Sequence, residues 1–342
     1  MKRIRKFSIF CLTLAALTAL FFLVSWRGFL KEKEVSFAVT FSTLMARRLR
    51  LEPKETFDAI LDDLNPKKMR IPIYWSEIEK ERGIFEFSEY DFFIKKSEEA
   101  GAKLILIVGR KLPRWPECHI PSWAAREFSI SNSQFPNNEF ERLVDIYIQK
   151  VVERYKDSPA IVAWQLENEH FHKFGAECAA NKLSSEIVDR ELALIRSLDE
   201  RPILLTDAGE GGWWGTSLKR SNFLGVTMYY QVWNPYWGVF WSPLGPGSYT
   251  LKKYFFEALY PGSKIIVAEL QAEPFWNKLL PDYDLAIQKQ LMSAERFQEI
   301  IRRSRRAGFS ENYLWGAEWW YWLKEKQNDP SLWEEAKKLF SE

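Results

Sequence analysis

Cysteine, histidine and net charge are what this 342-residue chain has least of. Its three cysteines, Cys11, Cys118 and Cys178, include no Cys-x-x-Cys pair, and His119, His170 and His172 lack the carboxylate or thiolate company of a zinc site, so no metal or cofactor is expected. Its 48 basic and 46 acidic residues leave a net charge of +2, too small a field to recruit nucleic acid or an acidic partner. Arg302, Arg303, Arg305 and Arg306 have a local reading: they close a helix before Gly308, where cations complement the carbonyl end of the dipole. No Gly-rich phosphate turn follows the first apolar run, which argues against an open doubly wound sheet. Low-complexity linkers and short-period repeats are also missing, and with them any sign of a second domain.

Aromatic residues are plentiful: 16 Trp, 13 Tyr and 25 Phe. The loop tryptophans Trp213, Trp214, Trp233, Trp237 and Trp276 form a group suited to stacking on the apolar faces of sugar rings. At the other end, Lys2, Arg3, Arg5 and Lys6 precede an uncharged run over residues 7–26. At about 20 residues it is long enough to span a bilayer, and the basic flank keeps its start in the cytoplasm. Leu23, Val24, Ser25 and Trp26 make a poor cleavage site. Residues 1–30 are therefore expected to be an uncleaved signal anchor and 31–342 an extracytoplasmic catalytic domain, with secretion after cleavage as the alternative. In that oxidising setting Cys118 and Cys178 are expected to pair, closing a loop of about 60 residues and adding about 4 kcal/mol.

From residue 35 onward short apolar runs alternate with helical-period segments, the pattern of a parallel sheet with crossover helices. Strands are expected over residues 35–41, 68–71, 103–109, 160–166, 202–206, 223–229, 264–269 and 313–317. Among the helices, Phe140, Leu143, Val144, Tyr147, Ile148, Val151, Val152 and Tyr155 keep one apolar stripe. Ser88 reads as an N-cap, residues 251–259 as a weak helix and 284–306 as a single long one. Eight such units make an α/β fold of the (β/α)8 TIM-barrel type, preceded by one transmembrane helix.

Two of the apolar runs end in carboxylates, Glu169 after the fourth strand and Glu269 after the seventh. In a barrel both lie at the carboxyl end of the strands, where paired acid/base and nucleophile chemistry is built. Glu167 and Glu273 are the nearby rivals, and Asp207 reads as a turn residue. Neighbouring strand residues face opposite sides, so Asn168 and Glu169 can both reach the mouth only if the strand has ended or bulges there.

Two stretches carry a resemblance. Ala163-Trp164-Gln165-Leu166-Glu167-Asn168-Glu169, and Arg70-Ile71-Pro72-Ile73-Tyr74-Trp75-Ser76-Glu77-Ile78-Glu79 followed by Gly83-Ile84-Phe85-Glu86-Phe87-Ser88, resemble glycoside hydrolase clan A. They are nearest in motif to its β-galactosidase families 42 and 35 and are also family 5-like. The resemblance implies a retaining β-glycoside hydrolase with a carbohydrate substrate, Glu169 as acid/base and Glu269 as nucleophile, about 5 to 5.5 Å apart. It further implies Asn168 on the sugar 2-hydroxyl, Arg70 holding the nucleophile ionised, Tyr229 or Tyr230 bonding it, and Trp319 or Trp320 flooring the sugar subsite, with Trp233 among the binding residues. An endo-β-glucanase or β-mannanase, or a silent glycan-binding barrel, is the alternative. Met228-Tyr229-Tyr230 lacks the histidine that endoglucanase members carry there, and the sugar, the mode of cutting and the oligomeric state stay open.

Overall fold

Runs such as Lys103–Val108 and Ile203–Asp207 are apolar on both faces because helices cover one side and the barrel interior the other. In the computed structural model, which describes residues 32–128, 138–171 and 184–342 and isolated positions between 13 and 26, ten strands are assigned. They are β1 (Ser36–Thr40), β2 (Lys68–Pro72), β3 (Lys103–Val108), β4 (Ile161–Leu166), β5 (Ile203–Asp207), β6 (Phe223–Met228), β7 (Gln231–Asn234), β8 (Gly238–Trp241), β9 (Lys264–Gln271) and β10 (Glu311–Trp315). Eight close a parallel barrel in the order β1-β10-β9-β6-β5-β4-β3-β2, while β7 and β8 form a separate antiparallel hairpin.

Alternation along the strands sets what each residue faces. Ala38, Ile105, Ala163, Leu204, Phe223, Ile266 and Tyr313, drawn from seven strands, fill the barrel's inside. The residues between them join the larger core under the helices. Thr40, Gln165, Thr206 and Trp315 stand two positions further along and form the next layer toward the mouth.

Most expected elements are present with shifted ends. The helix Asn138–Tyr155 buries all eight residues of its stripe. Four expectations need correction. Ser88 is the first helical residue, and Phe87 flanks it without a side-chain cap. The weak helix starts early, at Pro246, whose fixed φ suits a first turn. The long C-terminal helix is two, Leu285–Leu291 and Ala294–Ala307, divided where the Ser293 hydroxyl accepts from Arg296 N–H. The eighth barrel strand stops at Trp315, because Gly316 at φ 124° turns the chain into the helix Ala317–Gln327.

Among the described residues no helix is long and apolar enough to cross a membrane. The expected span over residues 7–26 lies largely outside them. Where it can be described it touches the barrel: Ser25 is buried against Gly245, and Trp26 lies 5.0 Å from the Arg303 guanidinium.

Candidate active site

Glu269 reaches the mouth because β9 carries one residue too many. Opposite β6, Val226 pairs with Val267 but Thr227 with Glu269; opposite β10, Asn312 pairs with Val267 but Leu314 with Leu270. Both registers slip between Val267 and Leu270, which is a β-bulge at Ala268–Glu269. Strict alternation would send Glu269 outward to the helices, as the Ile266 and Ala268 positions already face inward. The bulge turns Glu269 inward and frees the Ala268 carbonyl, which accepts from Arg70 Nη1.

Arg70 is fully buried and its fork is fully used. Its Nε donates to Gln165 Oε1 at 2.7 Å and its Nη1 to Thr40 Oγ1 at 3.3 Å, while Nη2 reaches Asn168 Oδ1 and Glu269 Oε1, both at 3.4 Å. Tyr229 Oη donates to the other Glu269 oxygen at 3.2 Å. Tyr230 points away, its hydroxyl on Met228 Sδ and its ring beside Arg303.

The fourth strand ends at Leu166, and Glu167 and Glu169 then take left-handed φ of 56° and 43°. This is the departure that lets Asn168 and Glu169 share the mouth. Glu167 is fully buried beneath them, accepting from the backbone N–H of Arg110 at 3.0 Å and of Lys111 at 2.6 Å. Gly109, at φ 132°, is glycine by necessity, since a Cβ there would collide with the Glu167 carboxylate. Glu167 therefore staples the end of β4 to the loop after β3, and offers no free oxygen to a substrate. Asn168 Oδ1 is held by Arg70, Gln165 and Thr206. Glu169 donates its backbone N–H to Thr206 Oγ1 at 2.8 Å, and its carbonyl accepts from Lys111 Nζ at 3.0 Å.

Burial, then the charges of Glu269 and Glu117, hold the Glu169 carboxyl well above the usual carboxylate range. A shift in that direction favours the protonated form, which a general acid needs.

The loop after β3 supplies residues that the sequence reading did not single out. Lys111 lies 3.2 Å from Glu117 Oε2, and burial pushes the Glu117 carboxyl up to about 7. Arg114 crosses to the far side, pairing with Glu273 at 2.5 Å and Glu318 at 3.1 Å, its guanidinium 3.8 Å over the Trp315 ring. Burial also raises Glu318, to about 7, and Glu318 accepts from Ser42 N–H. Glu273 is thus bound to Arg114, and neither Arg70 nor Tyr229 bonds it. The basic residues of Gly109-Arg110-Lys111-Leu112-Pro113-Arg114 were the signal available.

Trp319 and Trp320 do not floor a subsite. Both are helical and fully buried, with their indole N–H groups on Gln288 Oε1 and the Ala272 carbonyl. Trp315 occupies the strand end instead. Trp233 is half-buried on the hairpin, Trp214 is core, and Trp213 and Trp237 are exposed. Asp207 is the last residue of β5 and accepts from Ala208 N–H. Cys118 is disulfide-bonded; Cys178 and His172 lie outside the described residues. Among the described residues no group of three His, Cys, Asp or Glu is placed to hold a metal ion.

Residues 64–187, which contain Arg70, Asn168 and Glu169, match the glycoside hydrolase family 42 model, described as Beta-galactosidase. The chain is similar to clan A glycoside hydrolases. Beta-galactosidase BgaH of Haloferax lucentense is 30% identical over 108 residues, 28% of this chain and 16% of that protein. A probable mannan endo-1,4-beta-mannosidase A-2 of Aspergillus terreus is 34% identical over 124 residues, 36% of this chain and 29% of that protein. Less than a third of either relative is spanned. Among solved structures, a β-galactosidase from Halorubrum lacusprofundi aligns over 90% of this chain and 58% of its own at 13% identity, with a TM-score of 0.59. Xylanase 10B from Thermotoga petrophila aligns over 90% and 94% at 13% identity, with a TM-score of 0.56. At such identities the likeness is one of fold.

Proposed function

We propose that the protein is a retaining β-glycoside hydrolase, β-galactosidase- or β-glucosidase-like, acting outside the cytoplasm. The observation that carries the reading is the unequal treatment of two carboxylates at one mouth. Glu269 receives a guanidinium and a phenol, while Glu169 is buried facing Glu269 and has its carboxyl raised well above the usual carboxylate range. Such a pair divides the labour of double displacement. Glu269 attacks the anomeric carbon as Glu169 gives its proton to the departing oxygen; Glu169 then takes a proton from the water that releases the sugar. With Oδ1 of Asn168 engaged, its amide Nδ2 is the end left to meet the sugar 2-hydroxyl. The mannosidase relatives give a second reading, an endo-β-mannanase on the same scaffold. The disulfide at Cys118 and the basic, then apolar, N-terminus favour an extracytoplasmic, membrane-anchored setting.

The test is hydrolysis of a panel of nitrophenyl β-glycosides and β-mannan by the full chain, beside Glu169→Ala and Glu269→Ala. Both variants are expected to lose activity, Glu169→Ala by about a hundred- to ten-thousandfold. Azide is expected to restore turnover in Glu269→Ala, as a glycosyl azide of inverted configuration. Turnover that survives either substitution would remove that residue from the mechanism, and intact glycan binding without any turnover would favour a silent binding barrel.

A further inference from the structure

In the ring of strands, β10 stands diametrically opposite β4. Glu169 follows β4; with Glu169 as the acid, a leaving group would depart on that side and the non-reducing end of the sugar would point toward β10. What meets it there is Arg114. Trp315, two residues beyond the inward-facing Tyr313, projects into the mouth, and the Arg114 guanidinium lies on its ring. The guanidinium is pinned from two further sides, by Glu273 after β9 and by Glu318, itself tied to Ser42 after β1. The loop that carries it is also anchored. Its Pro113 carbonyl accepts from Tyr74 Oη at 3.0 Å, its Trp115 carbonyl from Arg48 Nη2 at 3.3 Å, and the Arg114 carbonyl lies 3.0 Å from His119 Nε2. Arg114 itself sits at φ 84°, outside ordinary space for a side-chain-bearing residue.

We infer that Arg114 is a specificity-determining residue that ends the site one sugar deep, so that the enzyme removes single terminal residues. The inference rests on the hydrolase reading and the carboxylate roles above. A chain continuing beyond the first sugar would need the face of Trp315 that Arg114 covers. Around the plug, Arg114 Nε, Glu273 Oε2 and Tyr283 Oη are buried and without hydrogen-bond partners among the described residues.

The experiment compares the full chain with Arg114→Ala on a nitrophenyl β-monoglycoside and on a nitrophenyl β-disaccharide of the same sugar, with products separated by chromatography. Arg114→Ala together with Glu318→Gln is the second variant, because it removes a buried charge that loss of Arg114 strands; circular dichroism confirms that each is folded. The wild-type protein is expected to release the terminal monosaccharide from the disaccharide first, with a lag in nitrophenol. In the variants intact disaccharide is expected to be released directly, with kcat/KM for the disaccharide rising about tenfold relative to the monoglycoside, the scale of one aromatic stacking contact. Direct release of disaccharide by the wild type, or an unchanged ratio in a folded variant, would overturn the inference. Should no protein turn over any glycoside, the hydrolase reading falls by itself. Calorimetric binding of the free disaccharide then decides the plug: tighter binding by the variants supports it, and equal binding overturns it.

Discussion

Arg70 and Glu269 form a buried ion pair, 3.4 Å between Nη2 and Oε1, across two strands that are not neighbours in the barrel. Arg70→Met leaves the carboxylate without its cation and frees the Ala268 carbonyl. The expected outcome is a loss of about 3 to 5 kcal/mol in stability along with most of the activity. Arg70→Lys keeps the charge but cannot reach Gln165, Thr40, Asn168 and Glu269 together, so it is expected to fall between. Urea unfolding and kcat on the best aryl glycoside separate the two effects.

Tyr229 and Tyr230 make an internal control. Tyr229→Phe deletes one hydrogen bond to Glu269 and is expected to lower kcat by about tenfold or more while changing stability by about 1 kcal/mol. Tyr230→Phe, whose hydroxyl meets only Met228 Sδ among the described residues, is expected to leave kcat unchanged. The reverse result would exchange their assignments.

The raised Glu169 carboxyl sets the alkaline side of the rate profile. The acid is active protonated, so kcat/KM is expected to fall as Glu169 loses its proton, above the usual carboxylate range. In Glu169→Gln that limb is expected to vanish, leaving a low rate on activated aryl glycosides. A limb that persists in the variant would assign it to another group.

His119 and His170 are buried, and burial lowers the first to about 4 and the second to about 3. Both stay neutral in the fold at pH values where the unfolded chain takes up protons. Their contribution is complete above pH 6.5 and is lost as pH falls through the folded values. Each is expected to steepen the fall in stability by about 1.4 kcal/mol per pH unit in that window. Unfolding free energies at several pH values, with His170→Asn flattening the slope, test this.

The barrel was legible because strand and helix periods differ and eight alternations leave little choice. Arg70, Asn168, Glu169, Glu269 and Tyr229 were legible from motif and from their places at strand ends. What stayed hidden has local causes. The hairpin Gln231–Trp241 lies within an aromatic loop whose turn, Pro235-Tyr236-Trp237, is three residues long and lacks the Asn-Gly or Asp-Gly pair of a two-residue hairpin turn. Trp319 and Trp320 looked like strand-end platforms because the positive φ of Gly316 cannot be read from its neighbours. Arg114 became part of the site only through a loop path, and composition does not encode paths.

The extra residue in β9 also means that the alternation of inward and outward positions before Ala268 is out of step with the alternation after it. The nucleophile is in effect written in a shifted reading frame of the strand. Replacing Ala268 with a bulky β-branched residue would reward regular pairing, and a strand drawn back into step would turn Glu269 toward the helices. Such a protein could fold, bury its core and bear every side chain of the site, yet have no nucleophile in the mouth. Inactivity here can arise from a change of phase with no change in the carboxylates at all.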